Sequence, residues 1–148
     1  MGYTLKAYLG KEENLIPILE KYSQSQKVHL NNGIFMIPMT DELFDQINEM
    51  KHSSGISTFE FLTENIEQKT IQVIENRELA YVESEFFGGQ GGHIGIIWKN
   101  GKRDFLTESD KSSMNKILKR LGVNRTLLKD EFENVGLDKN RHTEDWIE

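Results

Sequence analysis

Two glutamates, a run of glycines and a histidine stand close together in one stretch of the chain, and these residue types could support chemistry. The stretch reads ESEFFGGQGGHIG and runs from Glu83 to Gly95. Two carboxylates could divide the acid and base roles of a hydrolase, as in glycoside hydrolysis, and carboxylate oxygens also suit Mg²⁺ or Ca²⁺. The glycines do not form a phosphate loop, because no Gly-Lys-Ser/Thr sequence opens a helix after them.

The positions of these side chains depend on how the two strands that flank the glycines pair. The first strand, LAYVESEFF, places Val82 on one side and Glu83 and Glu85 on the other. We expect the Val82 side to face Trp98 in the core, because unpaired charges are costly to bury. This register requires an odd loop of three or five residues centred on Gln90, for which the glycines supply positive φ angles.

In the predicted register the two glutamates share one sheet face with a histidine and a third carboxylate, and Gly95 lies opposite Glu85. The candidate binding residues are Glu83, Glu85, Gly89, Gln90, Gly91, His93 and Asp104. We assign no catalytic residue, no metal ligand and no cofactor, and a divalent cation on this face is the alternative. If a helix covers the face instead, three arginines could neutralise the glutamates, namely Arg77, Arg103 and Arg141.

Turn and helix patterns predict the elements that position this stretch. Asn-Gly pairs favour two-residue hairpin turns, and the predicted hairpins lie at Asn32-Gly33, Gly88-Gly92 and Asn100-Gly101. Apolar residues at helical spacing predict helices that begin near Asn14 and span 41–51, 58–75 and 110–121. Ser57 and Glu60 form a capping-box pattern for the third of these. The sequence therefore predicts an α+β fold with a mainly antiparallel sheet, packed by amphipathic helices.

Length and composition indicate a soluble globular protein. The chain has 148 residues, a net charge of -6 and no cysteine, which excludes disulfides and thiolate chemistry. We predict one α+β domain over 1–148, with a C-terminal tail from about 130 docked on it. No apolar run approaches a membrane span, and the first residues lack the layout of a signal peptide, so we expect a cytoplasmic protein without a membrane partner.

Charge is distributed in blocks along the chain. Residues 41–98 carry eleven acids and three bases, and residues 99–129 carry nine bases and three acids. Such blocks attract partners of opposite charge, although a basic segment can also simply pack beside acidic ones. Because the chain is acidic overall and the basic segment lacks interleaved aromatic residues, a nucleic-acid partner is disfavoured. A protein partner, itself basic, fits the pattern better. The oligomeric state stays open.

Five stretches of the chain are also similar to a group of small uncharacterised bacterial proteins. They are MGYTL, IPMTDEL, AYVESEFFGGQGG, LKRLGV and DEFENVGLDKNRHTEDW. The resemblance spans nearly the whole length and implies no activity. Together with the charge pattern, it favours a non-enzymatic protein-interaction module, by class analogy an immunity-like or antitoxin-like protein. The alternative is a small metal-assisted hydrolase or ligand-binding enzyme that uses the acidic sheet face.

Overall fold

The computed structural model describes residues 2–147, and six antiparallel strands form the centre of the molecule. The predicted α+β class is confirmed. Across the sheet the strands lie in the order β2-β3-β1-β4-β5-β6. The strands are β1 (Tyr3–Gly10), β2 (Val28–His29), β3 (Phe35–Pro38), β4 (Leu79–Phe87), β5 (Gln90–Lys99) and β6 (Lys102–Leu106). The helices are α1 (Glu12–Lys21), α2 (Asp41–Asn48), α3 (Glu64–Ile74), α4 (Ser113–Arg120) and α5 (Glu131–Val135), followed by 3₁₀ turns at Leu137–Lys139 and Thr143–Trp146.

Both faces of the sheet are covered. On one face Tyr8, Tyr81 and Trp98 pack with side chains from α1, α2 and α3. On the other face Val82 and Ile97 pack with α4, α5 and the C-terminal segment. The first six residues of β4 are therefore all buried. Consequently, hydrophobic alternation alone cannot determine which side of β4 faces which layer.

Both Asn-Gly turns form at the predicted positions, Asn100-Gly101 as a two-residue turn between paired Lys99 and Lys102, whereas the loop that contains Asn32-Gly33 is longer and runs between paired His29 and Phe35. Asn32 and Gly33 have φ angles of 62° and 74°, and Asn100 and Gly101 have 55° and 77°. Positive φ at both central residues matches the right-handed twist of the flanking strands.

The glycine-rich hairpin is shorter than predicted. Phe87 pairs with Gln90, so the turn consists of Gly88 and Gly89 alone, with φ angles of 60° and 80°. Gly91 belongs to β5, where a Cβ would lie 1.9 Å from the backbone oxygen of Glu85. The hairpin predicted at Gly88-Gly92 therefore exists, but its odd loop is wrong.

Because the turn has an even number of residues, β4 pairs with β5 in a different register, and the side chains of β4 lie on the sheet faces opposite to those predicted. Glu83 pairs with Ile94, and Leu79 pairs with Trp98, so Glu83 lies on the Trp98 face. Gly95 lies opposite Val82 rather than Glu85, and a Cβ on it would come within 2.5 Å of the Ile117 side chain. The prediction failed because it assumed that the glutamate would find no partners in the core.

A bulge shifts the pairing of β6. Trp98 pairs with Arg103, as the turn predicts, but Ile97 pairs with Phe105. Asp104 is thus the extra residue of the bulge, which bends the strand locally.

The N-terminus of α3 also differs from its prediction. The helix begins at Glu64, and the Thr63 side chain accepts a hydrogen bond from the backbone N–H of Ile66 at 3.3 Å. The capping box of Ser57 and Glu60 does not form, because the Glu60 N–H donates to Glu83 instead. Residues 57–63 are therefore an irregular segment that precedes the helix.

The C-terminal segment completes the free edge of β1. Strand β3 pairs only with the second half of β1, from Ala7 onward. Closer to the N-terminus, Thr4 N–H donates to the Arg141 carbonyl at 2.7 Å, and Lys6 N–H donates to the Thr143 hydroxyl at 3.1 Å. These bonds satisfy backbone donors and bring Thr143 and Glu144 beside the sheet.

Candidate functional site

An open cleft of about 680 Å³ lies at the hairpin end of the sheet, on the face that carries α1 to α3. Its floor consists of β1, β4 and β5, its walls are the irregular segment before α3 and the C-terminal 3₁₀ turn, and the β4–β5 hairpin tip borders it. We call this space the acidic cleft, and its lining includes Thr4, Lys6, Glu60, Phe61, Glu83, Glu85, Phe87, Gln90, Thr143 and Glu144.

Strand pairing places the polar side chains on the cleft floor. Lys6 lies opposite Glu83, and Thr4 lies opposite Glu85. Because residues i and i+2 of a strand face the same way, these four side chains continue the face that is apolar at Tyr81. The apolar layer therefore gives way to a polar one where the helices no longer cover the sheet.

Glu83 is buried, with 7% of its surface exposed, and its carboxylate binds the backbone of the cleft wall. Its oxygens accept hydrogen bonds from the N–H groups of Glu60, Phe61 and Leu62 at 2.6, 3.1 and 3.0 Å. The Tyr81 hydroxyl donates a fourth bond at 2.8 Å. Four donors compensate for the loss of water around the charge. Glu83 thus fixes the wall rather than facing a ligand.

None of the three arginines proposed to neutralise Glu83 appears among its partners. Arg103 instead binds another buried glutamate, Glu67, through two hydrogen bonds of 2.7 and 2.8 Å. Burial opposes ionisation of Glu67, but the hydrogen bonds from Arg103 and Trp98 and the Arg103 charge lower its pKa overall.

Glu60 and Glu85 form the exposed acidic pair of the cleft. The Glu85 side chain lies within hydrogen-bonding reach of Glu60, and this bond, together with the negative charge of Glu85, raises the pKa of Glu60. The charge of Glu83 adds to the increase, whereas that of Lys6 opposes it. A raised pKa here reports two carboxylates that crowd one another.

Aromatic side chains lie beside this pair. Phe87 is 81% exposed at the end of β4, and Phe61 is partly exposed on the wall. The Lys6 ammonium lies 3.9 Å from the centroid of the Phe61 ring, and it also contacts Asp41 at 3.4 Å. The acidic cleft therefore already holds one cation against one aromatic face.

The hairpin tip contributes fewer groups to the cleft than predicted. Gln90 and Gly91 line it, together with Gly92, which is the residue opposite Glu85. Gly89 is exposed at the turn and is not among the lining residues.

His93 lies on the opposite face of the sheet, which corrects the predicted grouping. It pairs with Ser84, and the Ser84 hydroxyl lies 2.5 Å from His93 Nδ1. The ring packs against Phe86 and Phe132. Burial lowers the pKa of His93 to about 4, although the charges of Asp110 and Asp130 oppose the shift. The reversed register moved His93 away from the glutamates.

Asp104 is also separated from the glutamates. Its carboxylate lies 3.9 Å from the guanidinium of Arg120 on α4, which packs on the other face of the sheet. The bulge in β6 places it there. Of the four predicted ionisable groups, the structure brings together only Glu83 and Glu85.

Several cleft residues were missed in the sequence. Glu60 and Phe61 fall within the helix predicted over 58–75, and Thr143 and Glu144 belong to a tail whose path has no local signal. Lys6 could have been found from strand parity, since it alternates with Thr4 beside a strand that carries two acids. Glu60 could have been found by asking which segment donates hydrogen bonds to Glu83, because a buried carboxylate requires donors.

Within residues 2–147, no group of three or more histidine or acidic side chains has an arrangement that could hold a metal ion. No helix in the same part of the chain is long and apolar enough to cross a membrane. The chain matches no model of a known protein family, no curated protein and no solved structure.

Proposed function

We propose that this protein is a non-enzymatic interaction module and that its acidic cleft binds a basic segment of a partner protein. The observation that carries the proposal is that two exposed carboxylates, Glu60 and Glu85, line the same cleft. A lysine or arginine side chain placed between them would form ion pairs with both and relieve their repulsion.

The exposed aromatic rings suit the same ligand. Guanidinium and ammonium groups bind the faces of aromatic rings, and their aliphatic stems pack on apolar surface. Phe87 is free for this contact, and the position of Lys6 over Phe61 is an internal example of it.

The cleft wall supports binding because it is already ordered. Three backbone hydrogen bonds to Glu83 fix the segment that carries Glu60 and Phe61. A partner would therefore not have to order this segment on binding, which reduces the entropy lost. An immunity-type inhibitor of a basic toxin is one specific form of this function, since acidic surfaces accelerate association with basic partners.

Affinity capture from the source cells tests the proposal. The tagged wild type is compared with Glu60→Gln/Glu85→Gln, which removes both charges but keeps the side-chain shape. The matched control is Glu13→Gln/Glu20→Gln, which makes the same charge change on the exposed side of α1. We expect the wild type and the control to recover a protein that carries a basic segment, in one-to-one amount, and the cleft variant to lose it.

High salt provides a second readout, because about 0.5 M salt should release a partner held by exposed charges. Equal thermal melting of the three proteins would establish that the variants are folded. Recovery of no stoichiometric protein, or of one that the cleft variant retains, would contradict the proposal.

A further inference from the structure

The turn between α4 and α5 presents two leucines to solvent. Leu127 is 100% exposed and Leu128 is 89% exposed. The turn that carries them is nonetheless ordered: Thr126 N–H donates to the Lys129 carbonyl at 2.8 Å, and Lys129 N–H donates to the Thr126 hydroxyl at 3.1 Å. Single exposed apolar residues are ordinary, but two adjacent ones at the tip of a hydrogen-bonded turn form a protruding apolar patch that suits binding to a partner surface. We call Thr126–Lys129 the dileucine turn.

Positive charge surrounds the dileucine turn. Residues 111–129 contain six lysines and arginines and no acid. Within residues 2–147, two of these cations lie within 4 Å of a carboxylate, Lys116 near Asp110 and Arg120 near Asp104. Lys129 follows the leucines directly, and Arg125 precedes them by two residues. A receptor for this turn therefore needs apolar surface with acids at its border.

The acidic cleft has that composition, with Phe61 and Phe87 beside Glu60 and Glu85. We propose that the dileucine turn of one copy docks in the acidic cleft of a second copy, so that the protein associates head to tail. The proposal rests on the function proposed above, because it takes the turn as a basic segment that the cleft binds. The cleft volume of about 680 Å³ is within the range of about 300–1,000 Å³ found for ligand pockets.

The fold favours a contact between the turn of one copy and the cleft of another over a contact within one copy. The dileucine turn follows α4, which packs on the Ile97 side of the sheet, whereas the cleft opens on the Trp98 side. A symmetric contact between two dileucine turns is disfavoured, because it would bring Arg125 and Lys129 of both copies together. Docking of the turn in the cleft of another copy is a heterologous contact, which forms an open chain or a ring, unless the second turn also enters the first cleft and closes a two-fold dimer.

Sedimentation velocity over a range of protein concentrations tests the contact. The wild type should show mass increasing with concentration at low salt, and about 0.5 M salt should suppress the increase. Leu127→Ser/Leu128→Ser, the turn variant, should weaken association at least about a hundredfold, because each of the two buried leucines contributes about a factor of ten or more. Met50→Ser is the control, since it removes an equally exposed apolar side chain elsewhere.

A mixture of two variants, one that lacks the cleft charges and one that lacks the leucines, gives a more specific test. Glu60→Lys/Glu85→Lys, the charge-reversed variant, repels the flanking cations but keeps its own dileucine turn, whereas the turn variant keeps its cleft. Each should be monomeric alone, and an equal mixture should form dimers and nothing larger, because only one intact contact is then available.

The outcomes separate this proposal from the function on which it rests. A wild type that is monomeric at every concentration overturns the self-docking, and capture of a foreign basic protein that depends on Glu60 and Glu85 would still support the cleft function. Self-association of the turn variant, or failure of the mixture to dimerise while the wild type associates, also overturns it. Binding of the monomer to phosphatidylserine vesicles, lost in the turn variant, would replace the second copy with a membrane surface.

Discussion

Glu83 and Glu85 are separated by one residue and face the same way, yet they occupy opposite environments. The carboxylate of Glu83 is buried and accepts four hydrogen bonds from protein groups. That of Glu85 is exposed and lies against a second carboxylate, that of Glu60. Two neighbouring acids of one strand thus have different roles, one in holding the fold and the other in the candidate site.

The difference arises from where the wall segment crosses the strand. At Glu83 the backbone of residues 60–62 directs three consecutive N–H groups at the carboxylate, so that the buried oxygens have hydrogen-bond partners. Near Glu85 the same segment contributes the Glu60 side chain, which brings a like charge instead of donors. A carboxylate whose oxygens already accept hydrogen bonds from the protein has little capacity left for a ligand. A carboxylate that is repelled by a neighbouring one is instead stabilised by a bound cation.

The largest expected difference between the two glutamates is in the free energy of unfolding when each carboxylate is removed in turn. Glu83→Ala should lower the free energy of unfolding by about 3 kcal/mol, because it leaves backbone donors unpaired and removes charged hydrogen bonds. Glu85→Ala should change it by no more than about 0.5 kcal/mol, as exposed positions usually do. Urea denaturation at pH 7 measures both. Similar losses in the two variants would show that the environments do not differ as described.

The fold could be predicted from the sequence where the signals are local. Asn32-Gly33 and Asn100-Gly101 adopt their turns because both residues accept positive φ and the flanking strands have matching twist. The apolar spacing from Leu43 to Ile47 similarly predicts α2. That helix ends at Asn48, earlier than expected, because Glu49 and Met50 adopt positive φ angles.

The candidate site could not be predicted in the same way, because each error concerns a contact distant in the sequence. The Ser57–Glu60 pattern is a sound local signal, but a carboxylate more than twenty residues away takes the N–H that the cap requires. The reversed register has the same origin. Burial of Glu83 is unfavourable only when no donors are present, and its donors come from a segment that was assigned to a helix. A bulge, which no pattern marked, then separated Asp104.

His93, which contacts Ser84 between the two glutamates, provides a test whose expected effect on stability is intermediate in size. The folded protein keeps His93 neutral down to about pH 4, whereas the unfolded chain protonates it near 6.5. Protons therefore favour the unfolded chain between these values, and the stability present above pH 6.5 is lost as the pH falls toward 4. The expected loss is about 2 kcal/mol at pH 5 relative to pH 7.

Replacement of the histidine isolates this contribution. His93→Gln should flatten the decline in unfolding free energy between pH 7 and pH 5, because the amide does not titrate. His52→Gln, at an exposed position, should retain the decline. If both variants lose stability in acid as the wild type does, the buried histidine is not its source.

The smallest expected effect is a change in the pKa of Glu60, and it tests directly whether the exposed acids interact. Glu85→Gln should lower this pKa toward its ordinary value of 4.5, because it removes the like charge and the shared hydrogen bond. Lys6→Met should raise it further, because the Lys6 ammonium is the one charge found to oppose the shift. Carboxyl chemical shifts followed by NMR across the acid range measure both changes. Since a cation bound between the two carboxylates would act on Glu60 in the same direction as Glu85→Gln, a wild-type Glu60 that titrates normally would remove the physical basis for cation binding in the acidic cleft.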